Sequence, residues 1–87
     1  MASLLYVSPR KAVFELDTHE KYETDQPYEI WVNGRRKLQA NKVVQTVDGL
    51  DPDTDVEMTL RRANGTETLR FHTPPESVTL DVKRMNA

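Results

Sequence analysis

Apolar residues along this chain fall in short runs that alternate with polar ones, and no stretch keeps the 3.6-residue spacing of a helix face. Leu4–Tyr6 opens a first strand, closed by Ser8-Pro9. Ala12, Phe14 and Leu16 alternate with Lys11, Val13 and Glu15 in a second. Residues 17–27, "DTHEKYETDQP", are polar and without period, the composition of a loop. Residues 28–40, "YEIWVNGRRKLQA", form a strand, an Asn33-Gly34 turn and a return strand. Asn-Gly suits the left-handed dihedrals of a two-residue hairpin, so this is the firmest local signal. "KVVQTVDGL", residues 42–50, is a further strand, ended by Asp48-Gly49. Val56, Met58 and Leu60 then alternate with polar neighbours, and a second Asn-Gly pair, Asn64-Gly65, turns the chain back through Leu69 and Phe71. Beyond Pro74-Pro75, Val78, Leu80 and Val82 alternate with Thr79, Asp81 and Lys83.

Seven short strands before the proline pair predict an all-β, immunoglobulin-like antiparallel sandwich. Residues 1–75 make the sandwich, and 76–87 are a C-terminal strand and linker. With Tyr28, Ile30 and Val32 facing inward, the expected core is Phe14, Ile30, Val32, Leu50, Val56, Met58, Leu60, Leu69 and Phe71. The same alternation turns Glu29 and Trp31 outward.

Composition narrows the functional field. At 87 residues the chain holds one small domain. It has no cysteine, hence no disulfide framework and no thiolate metal site. Net charge is −2 with both signs interspersed. The basic run Arg35-Arg36-Lys37 is too short to argue for nucleic acid. The N-terminus lacks a basic region followed by a long apolar stretch, so no signal peptide is read and a cytoplasmic location is favoured. No segment has the length to span a bilayer.

One stretch sharpens the fold. "VDGLDPDTDVEMTL", residues 47–60, resembles the fibronectin type III signature, in which a Leu-x-Pro-x-Thr run joins the fifth and sixth strands. Leu50, Pro52 and Thr54 match it, and "YEIWVNGRR" resembles that family's third strand and hairpin. The resemblance implies that Leu50 plugs the bottom of the core and that Pro52 sets the turn. The family's usual tyrosine two residues after the threonine is Val56 here. Its core tryptophan on the second strand is replaced, with Leu16 nearest, and Gln45 stands where an apolar residue is usual.

The tail "SVTLDVKRMNA" is similar to the segment leading into the catalytic β-helix of bacterial polygalacturonases, the family 28 glycoside hydrolases. Several of these carry a fibronectin type III-like module of about this length at that place. "LLYVSPRKAVFEL" and "PYEIWVNG" resemble those modules too. Met85 and Asn86 depart from the aromatic and glycine of that junction. The resemblance implies a non-catalytic accessory module whose last strand leads into a catalytic domain of the same polypeptide. The other reading is that residues 77–83 add an eighth strand to an edge of this sandwich. The two readings are compatible.

Local chemistry is sparse. The grouped aspartates that those hydrolases use have no counterpart here, so no catalytic residue and no cofactor is implied. Asp51, Asp53 and Asp55 start a calcium-loop pattern, but Val56 and Arg62 occupy the positions that need glycine and glutamate. They are expected to be turn formers with solvated carboxylates. His19 and His72 make no triad and are read as surface or strand residues. Asn64-Gly65-Thr66 fits a glycosylation sequon and is read as a hairpin turn. Trp31 has three readings: packing within the domain, docking on the following catalytic domain, or stacking on a sugar ring. In the last, Arg35, Arg36 and Lys37 are the candidate partners for the carboxylates of a pectic oligosaccharide. Two function classes follow: a spacer and interdomain packing module, and a carbohydrate-binding module.

Overall fold

The computed structural model describes residues 1–76, and the tail strand expected at 77–83 lies outside them. Seven strands run β1 Ser3–Val7, β2 Ala12–Glu15, β3 Glu23–Val32, β4 Arg35–Lys42, β5 Val44–Val47, β6 Asp55–Arg62 and β7 Gly65–His72. They form two antiparallel sheets, β1-β2-β5 and β4-β3-β6-β7. The described residues contain no helix, and therefore none long and apolar enough to cross a membrane.

The local signals act as their chemistry requires. Asn33 and Gly34 both take positive φ, 49° and 83°, the left-handed pair a tight hairpin needs. The Asn33 side chain ties that turn to β6: its amide oxygen accepts from the Glu57 backbone N–H at 2.8 Å and its nitrogen donates to the Asp55 carbonyl at 3.3 Å. The second hairpin differs from its sequence reading. Arg62 pairs with Gly65, so the two-residue loop is Ala63-Asn64 and Gly65 opens β7. Gly65 carries the unusual dihedral, φ 141°, which its missing Cβ tolerates.

The polar stretch 17–27 also differs. β3 begins at Glu23, five residues before Tyr28, the first apolar signal. Its register against β4 jumps from Glu23↔Lys42 to Tyr28↔Ala40, leaving a bulge on the β3 side. Residues 23–27 are mostly exposed, so this extension has no buried face and no reason to alternate.

Six of the nine expected core residues, Phe14, Ile30, Leu50, Val56, Met58 and Leu60, are buried. Val32, Leu69 and Phe71 only pack against the core from its margin. Val32 is the last residue of β3, and the other two lie on β7, which is an edge strand. Ala2, Ala12, Leu16, Tyr28, Val43 and Val47 complete the buried cluster. Val43, the single residue between β4 and β5, carries the chain from one sheet to the other. Its N–H donates to the Tyr22 carbonyl and its carbonyl accepts from the Leu16 N–H, both at 2.9 Å. Tyr28 meets Phe14 edge to face at 6.3 Å and donates its hydroxyl to the Lys42 carbonyl at 2.6 Å. Burial pushes the Tyr28 phenol up to about 12.

Candidate functional site

Residues directly opposite each other in a sheet share a face. Trp31 stands opposite Arg36 on β4 and Thr59 on β6, and Glu29 opposite Gln39 and Arg61. These side chains lie on the outer face of the four-stranded sheet, where the alternation of β3 places Trp31. The face is cross-linked throughout. The Trp31 indole Nε1 donates to Glu29 Oε1 at 3.0 Å, and Arg36 Nε sits 3.4 Å from Glu29 Oε2. The Arg61 guanidinium lies 4.9 Å from the centre of the Trp31 ring, a cation–π distance. One step along, Arg70 Nε donates to Glu57 at 3.2 Å, and the Thr59 and Thr68 hydroxyls meet at 3.4 Å. Trp31 is accordingly half-buried beneath its own neighbours.

Of the basic trio, only Arg36 is brought to Trp31. Arg35 stands opposite Val32 at the hairpin end, exposed. The register slips by one residue between Ile30↔Leu38 and Trp31↔Arg36, so Lys37 sits in a bulge. From there its ammonium reaches the Gly49 carbonyl at 3.5 Å, toward the other sheet. Arg61 is the cation that covers the tryptophan. The cue to it was the Arg61 position in the alternation of β6, two residues after Thr59.

A second cluster gathers at the lower end of this sheet. His72 Nδ1 is 2.7 Å from Asp55 Oδ1, and Nε2 is 2.8 Å from Asp53 Oδ1. A carboxylate only accepts, so the two bonds form together when both ring nitrogens carry a proton, and the arrangement favours the imidazolium. The bonds to Asp55 first, and to Asp53 second, raise its pKa above the usual 6.5. The three side chains stay exposed, as the sequence predicts for solvated carboxylates and a surface or strand histidine, and cross-strand pairing of Asp55 with His72 brings them together. Both imidazole nitrogens are spent on carboxylates, and no group of three or more metal-ligating side chains suited to an ion is found among the described residues.

The loop before β6 is held by a residue with no signature of its own along the chain. Leu50 is buried, and its N–H donates to the Arg10 carbonyl at 2.9 Å. The Thr54 hydroxyl donates to the Pro52 carbonyl at 2.8 Å. Thr73, fully buried just after β7, donates its hydroxyl to the Asp51 carbonyl at 2.6 Å and accepts from the Thr54 N–H at 3.0 Å. Its own N–H donates to the Thr54 carbonyl at 3.0 Å. The chain then leaves along a fixed course. The Pro74 carbonyl accepts from the Asp53 N–H at 3.2 Å, and Glu76 forms a two-pronged pair with Arg10 at 2.7 and 3.1 Å.

Comparison with known families, curated proteins and solved structures finds no match to this chain.

Proposed function

We propose that this chain is a fibronectin type III-like accessory module that precedes a polygalacturonase-type catalytic domain, where it acts as a spacer and interdomain packing unit. The observation that carries the reading is the stretch from Leu50 to Thr54: a buried leucine, a turn proline and a threonine that caps the turn. The strand partition supports it. An immunoglobulin-like sandwich divides its strands between two Greek-key sheets, and here the fourth strand lies on the sheet of the third. The resemblance of the tail to the entry of a family 28 β-helix supplies the rest. Fold alone never assigns a role, so the reading stands on those segments together.

The test is a pair of measurements on the chain and on the polypeptide that extends it. The chain by itself releases no reducing sugar from polygalacturonate. The extended polypeptide releases it, and loses thermal stability when the module is removed. Activity of the chain that survives repurification and disappears on mutating one of its aspartates overturns the reading.

The outer face of the four-stranded sheet supports a second reading, recognition of an acidic pectic oligosaccharide. Trp31 provides an apolar ring there, with Arg61 and Arg36 as cations beside it. Titration with oligogalacturonides, followed by Trp31 fluorescence, decides it: saturable quenching that is lost in R61A supports binding, and a flat titration removes it.

A further inference from the structure

The two outer faces of the sandwich differ. On the four-stranded sheet the outward side chains are bound to one another, Glu29 to Trp31 and Arg36, and Arg70 to Glu57. On the three-stranded sheet the register sets Tyr6, Val13 and Thr46 in one outward row, and Ser3, Glu15 and Val44 in the next. Tyr6 and Val44 are about half exposed. So is Leu5, which the slip in register between Leu4 and Tyr6 leaves in a bulge. Three of the five exposed large hydrophobics among the described residues thus belong to this one small sheet.

Two charges frame the apolar row. Ala12 and Phe14 are buried, so Val13 and Glu15 point outward. The Ser8 N–H donates to the Lys11 carbonyl at 2.8 Å, which carries the β1–β2 ladder one pair further and sets Lys11 on the side of Val13. Along β2 the outward face therefore reads cation, valine, anion. Lys11 and Glu15 are both exposed, and among the described residues neither is in an ion pair.

A surface whose charge changes sign across its own centre matches a second copy of itself. Let two such sheets meet face to face about a two-fold axis that runs across the strands. Each β2 then lies antiparallel over the other, Val13 meets Val13, and Tyr6 meets Tyr6. Lys11 of each copy meets Glu15 of the other, so one favourable contact is made twice. An axis along the strands would instead set Lys11 on Lys11 and Glu15 on Glu15, so charge selects the first arrangement.

We propose that the outer face of the three-stranded sheet is a self-association surface, and that its occupant is a second copy of this chain with the two β2 strands antiparallel. The proposal is independent of the accessory-module reading. The sheet is three strands wide and four or five residues long, roughly 15 Å by 15 Å. That covers roughly a few hundred Å² per copy, short of the about 800 Å² of a standard interface, so the pair is transient.

The experiment is sedimentation equilibrium of the full 87-residue chain up to about 1 mM, with amide shifts followed by NMR over the same range. The expected result is a dimer with a dissociation constant of roughly 0.1–1 mM, and shifts that move at Tyr6, Val13 and Val44. K11E and E15K, each alone, bring like charges together and should weaken the dimer about tenfold or more. The double variant K11E/E15K exchanges the two charges and should return the constant to within about threefold of the parent. Both positions are exposed, so all four chains should give folded spectra. A parent that stays monomeric at about 1 mM overturns the proposal. So does a double variant as weak as the singles, or a dimer whose shifts fall on the four-stranded sheet.

Discussion

The loop at 51–54 depends on one buried hydroxyl. Val56 turns into the core and offers the loop no polar group, so the tie comes from elsewhere. Thr73 provides it with a donor, an acceptor and its own N–H, all toward Asp51 and Thr54. T73V keeps the shape and removes the hydroxyl, leaving a buried N–H without its partner. It should cost about 1–3 kcal/mol in denaturant melts, while T73S should cost clearly less. His72 makes a pH prediction at the same end. Its folded pKa is raised, chiefly by Asp55, so its contribution to stability is full below the usual 6.5 and is lost as pH rises through the folded value. An NMR titration should place the His72 midpoint above 6.5, and D53N/D55N should bring it back toward that value. A parent midpoint at or below 6.5 contradicts the paired imidazolium.

Strands were legible wherever one face is buried and the other is wet. β2, the inner half of β3 and β6 all show the buried alternation that their sequences predict. The start of β3 was not legible, because a strand with water on both faces has no period to read. The loop of the second hairpin was missed for a different reason. Asn-Gly invites a turn, but the pairing of Arg62 with Gly65 leaves Ala63-Asn64 as the loop. Lys37 escaped its expected place because a one-residue bulge cannot be seen in a run of three basic residues. Burial within an element follows its position in the sheet, and truncation tests this. F14A, on the central strand of its sheet and fully buried, should cost roughly 3–5 kcal/mol. F71A, half-buried on an edge, should cost roughly 1–2 kcal/mol in the same melts. Equal losses would mean that β7 is as enclosed as β2.

At the scale of the molecule, an all-β antiparallel sandwich of seven strands was legible from strand count and hairpin signals, while the division into a three-stranded and a four-stranded sheet was not. The candidate site was legible only in part. Period two placed Trp31 outward, but which cations join it depends on registers between strands far apart in sequence. Half-buried under Arg61 and bonded to Glu29, Trp31 is part of a surface layer and not of the core. W31A in this chain should leave the fold intact and cost about 1 kcal/mol or less from the lost cation–π contact. In a polypeptide that carries the proposed catalytic domain, the same substitution should lower the melting temperature of the whole. Unfolding of the isolated chain by W31A would make Trp31 a structural residue and remove it as a docking contact.

The Arg10–Glu76 clasp has a mechanical side. Ala2 stands at the upper end of β1 and Glu76 is fastened at its foot, so the two points lie at opposite ends of that strand. A pull applied through these two points runs parallel to β1. The hydrogen bonds from β1 to β2 lie across that direction, so the load meets them in shear, all together, and does not unzip them one by one. Both partners of the clasp at the foot are exposed, so salt weakens that hold while the main-chain bonds from β1 to β2 keep their strength.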